Sequence, residues 1–105
     1  MAVKIRIRTM KSQGKMMGRP LTLGGVIEAI RRGDEMSLAA FSGRLEVSPS
    51  HLCDIEKGRK VVSPARAARF AEVLGRSSEQ FVRLSLQGLL DEAGLKMKVS
   101  VAMVK

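Results

Sequence analysis

The 105-residue sequence is poor in aromatic residues, cysteine and histidine. It has three Phe and no Trp or Tyr, which argues against modules that stack single-stranded bases on exposed aromatic rings. One cysteine cannot close a disulfide within the chain, and one cysteine with one histidine cannot build an ordinary zinc site. We therefore expect no metal site and no cofactor, and a reducing cytoplasm is the default compartment.

Long apolar runs are also missing from the sequence. No stretch reaches 18 apolar residues, so we expect no membrane span. The N-terminus (MAVKIRIRTMK) alternates charged and aliphatic residues, which excludes a secretory signal. We find no Ser-His-Asp, paired-carboxylate or Gly-rich phosphate-loop pattern and do not expect an enzyme. The length allows one domain with one core.

The charge balance indicates a polyanionic partner, meaning nucleic acid or an anionic membrane surface. There are 19 Lys and Arg against 10 Asp and Glu, giving a net charge of +9 and a pI near 10.7. Residues 1–27 hold six basic and no acidic side chains, residues 28–94 are balanced, and residues 95–105 add three Lys. Inside the balanced middle, residues 57–69 form an acid-free basic cluster, for which a solvated face is an equally good explanation.

Local signals predict a mainly α chain with a short strand at each terminus. Apolar and basic residues alternate over 3–8, apolar and mostly polar ones over 95–104, and each pattern is typical of a strand. Residues 11–20, with two Gly and one Pro, are typical of a flexible linker. Five short helices are predicted between them, starting at Thr22, Ser37, Ser48, Ser63 and Ser77 and ending at Gly33-Asp34, Glu46-Val47, Gly58, Gly75 and Gly94.

The span from Ser37 to Gly58 is the most informative part of the sequence. It contains two short capped helices joined by a tight turn, as a helix-turn-helix requires. The small residue Ser42 lies where the second helix must cross the first closely. The apolar positions of the motif are Leu38, Phe41, Leu45, Val47, Leu52 and Ile55.

These residues resemble the lambda-repressor-like (Cro/XRE) helix-turn-helix family. The match includes Phe41-Ser42, Val47-Ser48 and the Ile-Glu-Lys-Gly-Arg ending at 55–59, and it extends over about residues 22–93. The resemblance implies a five-helix DNA-binding domain at 21–94, between a basic strand or arm with linker at 1–20 and a strand at 95–105. The family often has Gly where this chain has Glu46. A positive φ at a non-glycine residue costs about 1 kcal/mol, so we expect this turn to be either slightly different or strained. Family members often have Ala at the position of Ser42. A proline at the start of the second helix, as at Pro49, is less usual in the family.

By this resemblance the second helix, 49–57, enters the major groove and reads bases with its N-terminal half. Ser50 can donate or accept a hydrogen bond, Asp54 can accept from a cytosine or adenine amino group, and Pro49 can pack on a thymine methyl. The candidate base-reading residues are Pro49, Ser50, Cys53 and Asp54. The candidate phosphate-binding residues are Ser37, Ser48, His51, Lys57, Arg59, Lys60 and Arg66.

Three of the polar residues near this helix have simpler explanations. Glu56 is acidic beside an expected DNA surface, so we interpret it as structural, either pairing with a basic neighbour or capping the loop. Cys53 is better explained as a small packed residue than as a reactive thiol. His51 is first of all a surface polar residue.

The terminal strands need partners, because a lone strand cannot satisfy its backbone or bury its apolar face. They can pair with each other, with a second copy of the chain or with another protein. Helix-turn-helix proteins usually bind DNA as two-fold dimers, so we favour pairing of strand 96–103 across a homodimer. The candidate dimer or partner residues are Leu86, Leu90, Met97, Val99 and Val101. The N-terminal segment is either such a strand or an arm along DNA.

The leading hypothesis is a dimeric, sequence-specific regulator that binds double-stranded DNA in the cytoplasm and represses transcription. The alternative is an antitoxin, because the chain also looks like the helix-turn-helix antitoxins of type II toxin–antitoxin pairs. These bind a toxin protein and repress their own operon. An RNA-binding or ribosome-associated protein is disfavoured by the shortage of aromatic residues.

Overall fold

Five helices and two terminal strands make up residues 2–9 and 21–104, the part of the chain that this computed structural model describes. In chain order they are β1 (Ala2–Thr9), α1 (Leu23–Gly33), α2 (Leu38–Leu45), α3 (Pro49–Glu56), α4 (Pro64–Leu74), α5 (Ser78–Glu92) and β2 (Met97–Val104). The mainly α class with a strand at each end is confirmed. The linker predicted at 11–20 lies outside the described residues. None of the described helices has the length and apolar character needed to cross a membrane.

Each helix begins at the Ser or Thr that the sequence predicts. The side-chain oxygen of that residue accepts a hydrogen bond from the backbone N–H three positions later, at 3.0–3.2 Å. The predicted endings at Gly58, Gly75 and Gly94 all have positive φ. At Gly33 the ending differs, since Gly33 is the last residue of α1 and the left-handed residue is Glu35, with φ 55°.

The core is built by all five helices around the three Phe. Phe41, Phe70 and Phe81 are each at most 2% exposed and pack with aliphatic side chains from α1, α3 and the α3–α4 loop. Ser85 on α5 is also buried, and its hydroxyl donates to the Val62 carbonyl. This bond ties α5 to the loop that follows α3.

The two ends of the chain pair with each other in an antiparallel sheet, from Ala2 opposite Val104 to Thr9 opposite Met97. This differs from the cross-dimer pairing that we favoured from sequence. A period of two fits either pairing, but within the chain α5 holds Met97 and Val99 of β2 through Gln87. The register then places Ile5 beside Val101 and Ile7 beside Val99 on one face. The sheet packs on α5 through β2.

Candidate DNA interface

The turn between α2 and α3 closes around Glu46. Glu46 adopts the left-handed conformation (φ 59°, ψ 40°), as the comparison with glycine-containing family members anticipated. Its N–H donates to the Gly43 carbonyl at 3.3 Å, and the Val47 N–H donates to the Ser42 carbonyl at 3.1 Å, which is a Schellman ending. Arg69 of α4 donates to the Glu46 carboxylate at 2.7 Å, with both side chains exposed.

Packing holds α3 against α1 and α2. Leu52 and Ile55 face the core and are 0% and 2% exposed. Gly24 of α1 lies so close to α3 that a Cβ at this position would fall 2.0 Å from the Ile55 carbonyl oxygen. On helix propensity alone a glycine in the first turn only weakens α1, whereas the structure shows that the α1–α3 contact requires glycine at this position. Ser42, predicted at the close crossing, is 2% exposed.

A nearly buried ion pair fixes the C-terminal end of α3. Arg31 of α1 donates to both carboxylate oxygens of Glu56, at 2.7 and 3.0 Å, and to the Met36 carbonyl at 3.0 Å. The Arg31 and Glu56 side chains are 12% and 5% exposed. The hydrogen bond to Glu56 raises the pKa of Arg31. The structural interpretation of Glu56 is therefore confirmed.

The candidate base-reading residues divide into two groups on α3. Pro49 and Ser50 are exposed in its first turn, and Cys53 and Asp54 are half-buried one turn later. Asp54 accepts from the Arg59 guanidinium at 2.9 Å, and the same guanidinium contacts the Cys53 sulfur at 3.7 Å. The bond to Asp54 raises the pKa of Arg59. The sequence predicts separate roles for the two paired residues, a base contact for Asp54 and a phosphate contact for Arg59.

The Asp54–Arg59 pair depends on the loop that follows α3. Gly58 turns the chain back with φ 79°, and the backbone N–H groups of Arg59 and Lys60 both donate to the Asp54 carbonyl, at 2.8 and 3.3 Å. The loop is thereby folded against the end of α3. The sequence does not predict this pair from the five-residue spacing of Asp54 and Arg59. Their contact depends on the left-handed conformation of Gly58, which lies between them.

The candidate phosphate-binding residues lie around this helix pair. Lys57, Arg59 and Lys60 are exposed in the loop after α3, and Arg66 is exposed in the first turn of α4. The N-terminal caps Ser37 and Ser48 are exposed, and His51 is half-buried. Among the candidate dimer residues, Val99 and Val101 are buried within the chain itself. Leu86, Leu90 and Met97 are half-buried.

Comparison with known proteins supports the same motif. A family model described as a helix-turn-helix domain matches residues 22–84, more than half of the chain. A solved structure, that of the clp gene regulator ClgR from C. glutamicum, is similar with a TM-score of 0.52 and 27% sequence identity. The similarity covers 68% of this chain and 96% of that one. No curated protein matches significantly.

The family match includes all of the α2–turn–α3 unit and the α1 and α4 helices packed beside it. Together with the likeness to a gene regulator, it supports a DNA-binding transcriptional regulator. The chain belongs to the helix-turn-helix domain family of DNA-binding proteins.

Proposed function

We propose that this protein is a sequence-specific repressor that inserts α3 into the major groove of its operator. The observation that carries the proposal is the division of α3 into two faces. Leu52 and Ile55 are buried, while Pro49 and Ser50 are exposed at the N-terminal end. That end is the part of a recognition helix that contacts base edges.

Base reading falls to the exposed first turn of α3 and to the cluster one turn later. The Ser50 hydroxyl can donate or accept, and the Pro49 ring can contact a thymine methyl. Asp54 uses its Oδ1 to hold Arg59, which leaves its other oxygen to accept from a cytosine or adenine amino group. Cys53 is in contact with the same guanidinium and shapes this part of the surface.

Phosphate contacts come from the basic residues and helix starts beside α3. Each neutralised phosphate contributes about −0.9 to the slope of log affinity against log salt. The exposed first turns of α2 and α3, at Ser37 and Ser48, offer backbone N–H groups to phosphate. The basic side chains proposed for the same role are those of His51, Lys57, Lys60 and Arg66, together with that of Arg59 when it is released from Asp54.

We further propose that the protein binds two half-sites as a dimer and represses by occupying a promoter. Val99 and Val101 are 1% and 9% exposed within one chain, so the dimer surface rests on Leu86, Leu90 and Met97. Sedimentation of the full chain tests this proposal, and a monomer at micromolar concentration would contradict it.

The DNA proposal is tested by fluorescence anisotropy with the upstream DNA of the gene and a scrambled duplex, at two salt concentrations. A lost base contact costs about 1–3 kcal/mol, so Ser50→Ala should lower the preference for upstream DNA at least about fivefold. The salt slope should stay unchanged. Lys96→Ala, at an exposed position before β2, is the matched control. Equal binding of both duplexes by the unmodified protein would contradict sequence-specific recognition.

A second candidate function is that of an antitoxin, which needs a protein-binding surface apart from α2 and α3. The sheet formed by β1 and β2 favours it, because it packs on α5 and presents a separate surface. Co-expression with the product of an adjacent gene tests this function. Growth arrest by that product, relieved by this chain, is the expected result, and arrest that persists would contradict it.

A further inference from the structure

The two edges of the terminal sheet differ. At the outer edge of β2, the Gln87 side chain of α5 donates to the Met97 carbonyl at 2.7 Å and accepts from the Val99 N–H at 2.9 Å. One side-chain amide thus occupies the donor and acceptor that a further strand would use there. Since Gln87 and α5 cover this edge, it is closed at Met97 and Val99.

The outer edge of β1 has no such cover within the described residues. Because the Val99 N–H points to Gln87, away from β1, Ile7 opposite Val99 belongs to a pair without hydrogen bonds between the strands. Ile5, two residues earlier and opposite Val101, belongs to the same kind of pair. The backbone N–H and C=O groups of Ile5 and Ile7 therefore point outward. An unpaired row of this kind is a template for another strand.

The side chains along this edge alternate between apolar and basic. Ile5 and Ile7 are 47% and 52% exposed, although Val99 and Val101 beside them on the same face are buried. On the opposite face Lys4 and Arg6 are exposed. Neither strand contains an acidic residue. On one face, a strand that pairs here would place its side chains beside the exposed Ile5 and Ile7. On the other face its side chains would lie beside the positive charges of Lys4 and Arg6.

A second copy of β1 does not fit this requirement. In any antiparallel two-fold pairing that keeps both sets of isoleucines on one face, even-numbered residues stand opposite even-numbered residues. At least one of Lys4 and Arg6 would then face a basic residue of the copy, and both would do so where Ile5 stands opposite Ile5 or Ile7. Like charges directly opposite are destabilising. The complementary strand has aliphatic residues opposite Ile5 and Ile7 and carboxylates opposite Lys4 and Arg6.

We propose that the outer edge of β1 binds, by strand addition, an extended segment of another protein that alternates acidic and aliphatic residues. Backbone hydrogen bonds to Ile5 and Ile7 supply affinity, and the two cations select the acidic pattern. The surface is independent of the DNA proposal. It would serve the antitoxin candidate without requiring that the partner be a toxin.

The test uses the full chain and labelled eight-residue peptides. One peptide alternates Glu with Val and Ile, and a second has Lys for every Glu. A third is the Glu peptide N-methylated at its Val and Ile amides, which would face β1 when these residues stand opposite Ile5 and Ile7. We expect the Glu peptide to bind about tenfold more tightly than the Lys peptide and more weakly as salt rises. N-methylation should abolish binding. Hydrogen exchange should show the Ile5 and Ile7 amides unprotected in the free protein and protected in the complex.

The double variant Lys4→Glu/Arg6→Glu separates charge recognition from loss of folding, because it should prefer the Lys peptide. Its DNA affinity and salt slope should match those of the unmodified protein. Equal binding of the Glu and Lys peptides would overturn the proposal. So would protection of Ile5 and Ile7 in the free chain, since the edge would already be covered. The proposal would also be overturned if the double variant had a DNA salt slope of smaller magnitude and the unmodified protein bound no peptide. Lys4 and Arg6 would then be DNA contacts.

Discussion

Arg31 and Glu56 join the first and third helices through a two-bond ion pair, with N···O distances of 2.7 and 3.0 Å. A third bond, from Arg31 to the Met36 carbonyl, includes the segment before α2 in the same junction. The pair therefore fixes the end of α3 relative to two other parts of the chain. Such a planar two-bond contact sets geometry that a lysine could not reproduce.

Breaking this pair should destabilise the fold strongly. Glu56→Gln leaves the Arg31 charge nearly buried without its counter-ion, and we expect a loss of about 3 kcal/mol in the free energy of unfolding. Urea denaturation followed by circular dichroism measures this loss. Glu28→Gln is the matched control, because its pair with Arg32 is more exposed and lies on one helix; it should cost under about 0.5 kcal/mol. Equal losses in the two variants would contradict the prediction.

Gly24 should tolerate no side chain. In Gly24→Ala the new Cβ would lie 2.0 Å from a backbone oxygen of α3, so α1 and α3 must separate, at a cost of about 1–3 kcal/mol. Gly33→Ala is the control, since a Cβ there meets nothing within 4 Å. Helix propensity makes that change neutral or stabilising by up to about 1 kcal/mol. Thermal unfolding compares the two, and a Gly24→Ala protein as stable as Gly33→Ala would refute the close approach.

Glu46 combines backbone strain with an exposed ion pair, and substitution separates the two. Glu46→Gly removes about 1 kcal/mol of left-handed strain and loses the contact with Arg69, which is worth less because both side chains are exposed. We expect this variant to be slightly more stable than the unmodified protein. Glu46→Ala keeps the strain and loses the contact, so it should be less stable. Chemical denaturation gives the order, and Glu46→Ala above Glu46→Gly would contradict it.

The sequence correctly predicts those parts of the fold whose conformation depends only on residues a few positions away in the chain. The five caps bond to an N–H three positions away, and Gly58, Gly75 and Gly94 set the backbone where they stand. Gly24 against Ile55 is different, because the need for glycine appears only when two helices meet.

The sequence does not determine which residues or strands pair with each other over long distances along the chain. The charge of Glu56 favoured a basic partner, but Arg31 lies 25 residues away and is found only through the packing of α1 on α3. The alternation in β1 likewise fits any apolar strand. Its pairing with β2 depends on α5 bringing Met97 and Val99 to Gln87.

Asp54 should limit non-specific DNA binding by holding Arg59. Asp54→Ala removes one negative charge from the interface and releases the guanidinium that Asp54 now binds at 2.9 Å. We expect tighter binding to scrambled DNA and a salt slope more negative by about 0.9, corresponding to one additional phosphate contact. The preference for upstream DNA should fall, because the acceptor on α3 is lost. Adding Arg59→Ala should restore the original slope. Anisotropy titrations at several salt concentrations measure these slopes. An unchanged slope in Asp54→Ala, with Lys57→Ala making the slope less negative by about 0.9, would show that Arg59 contacts phosphate whether or not it is paired.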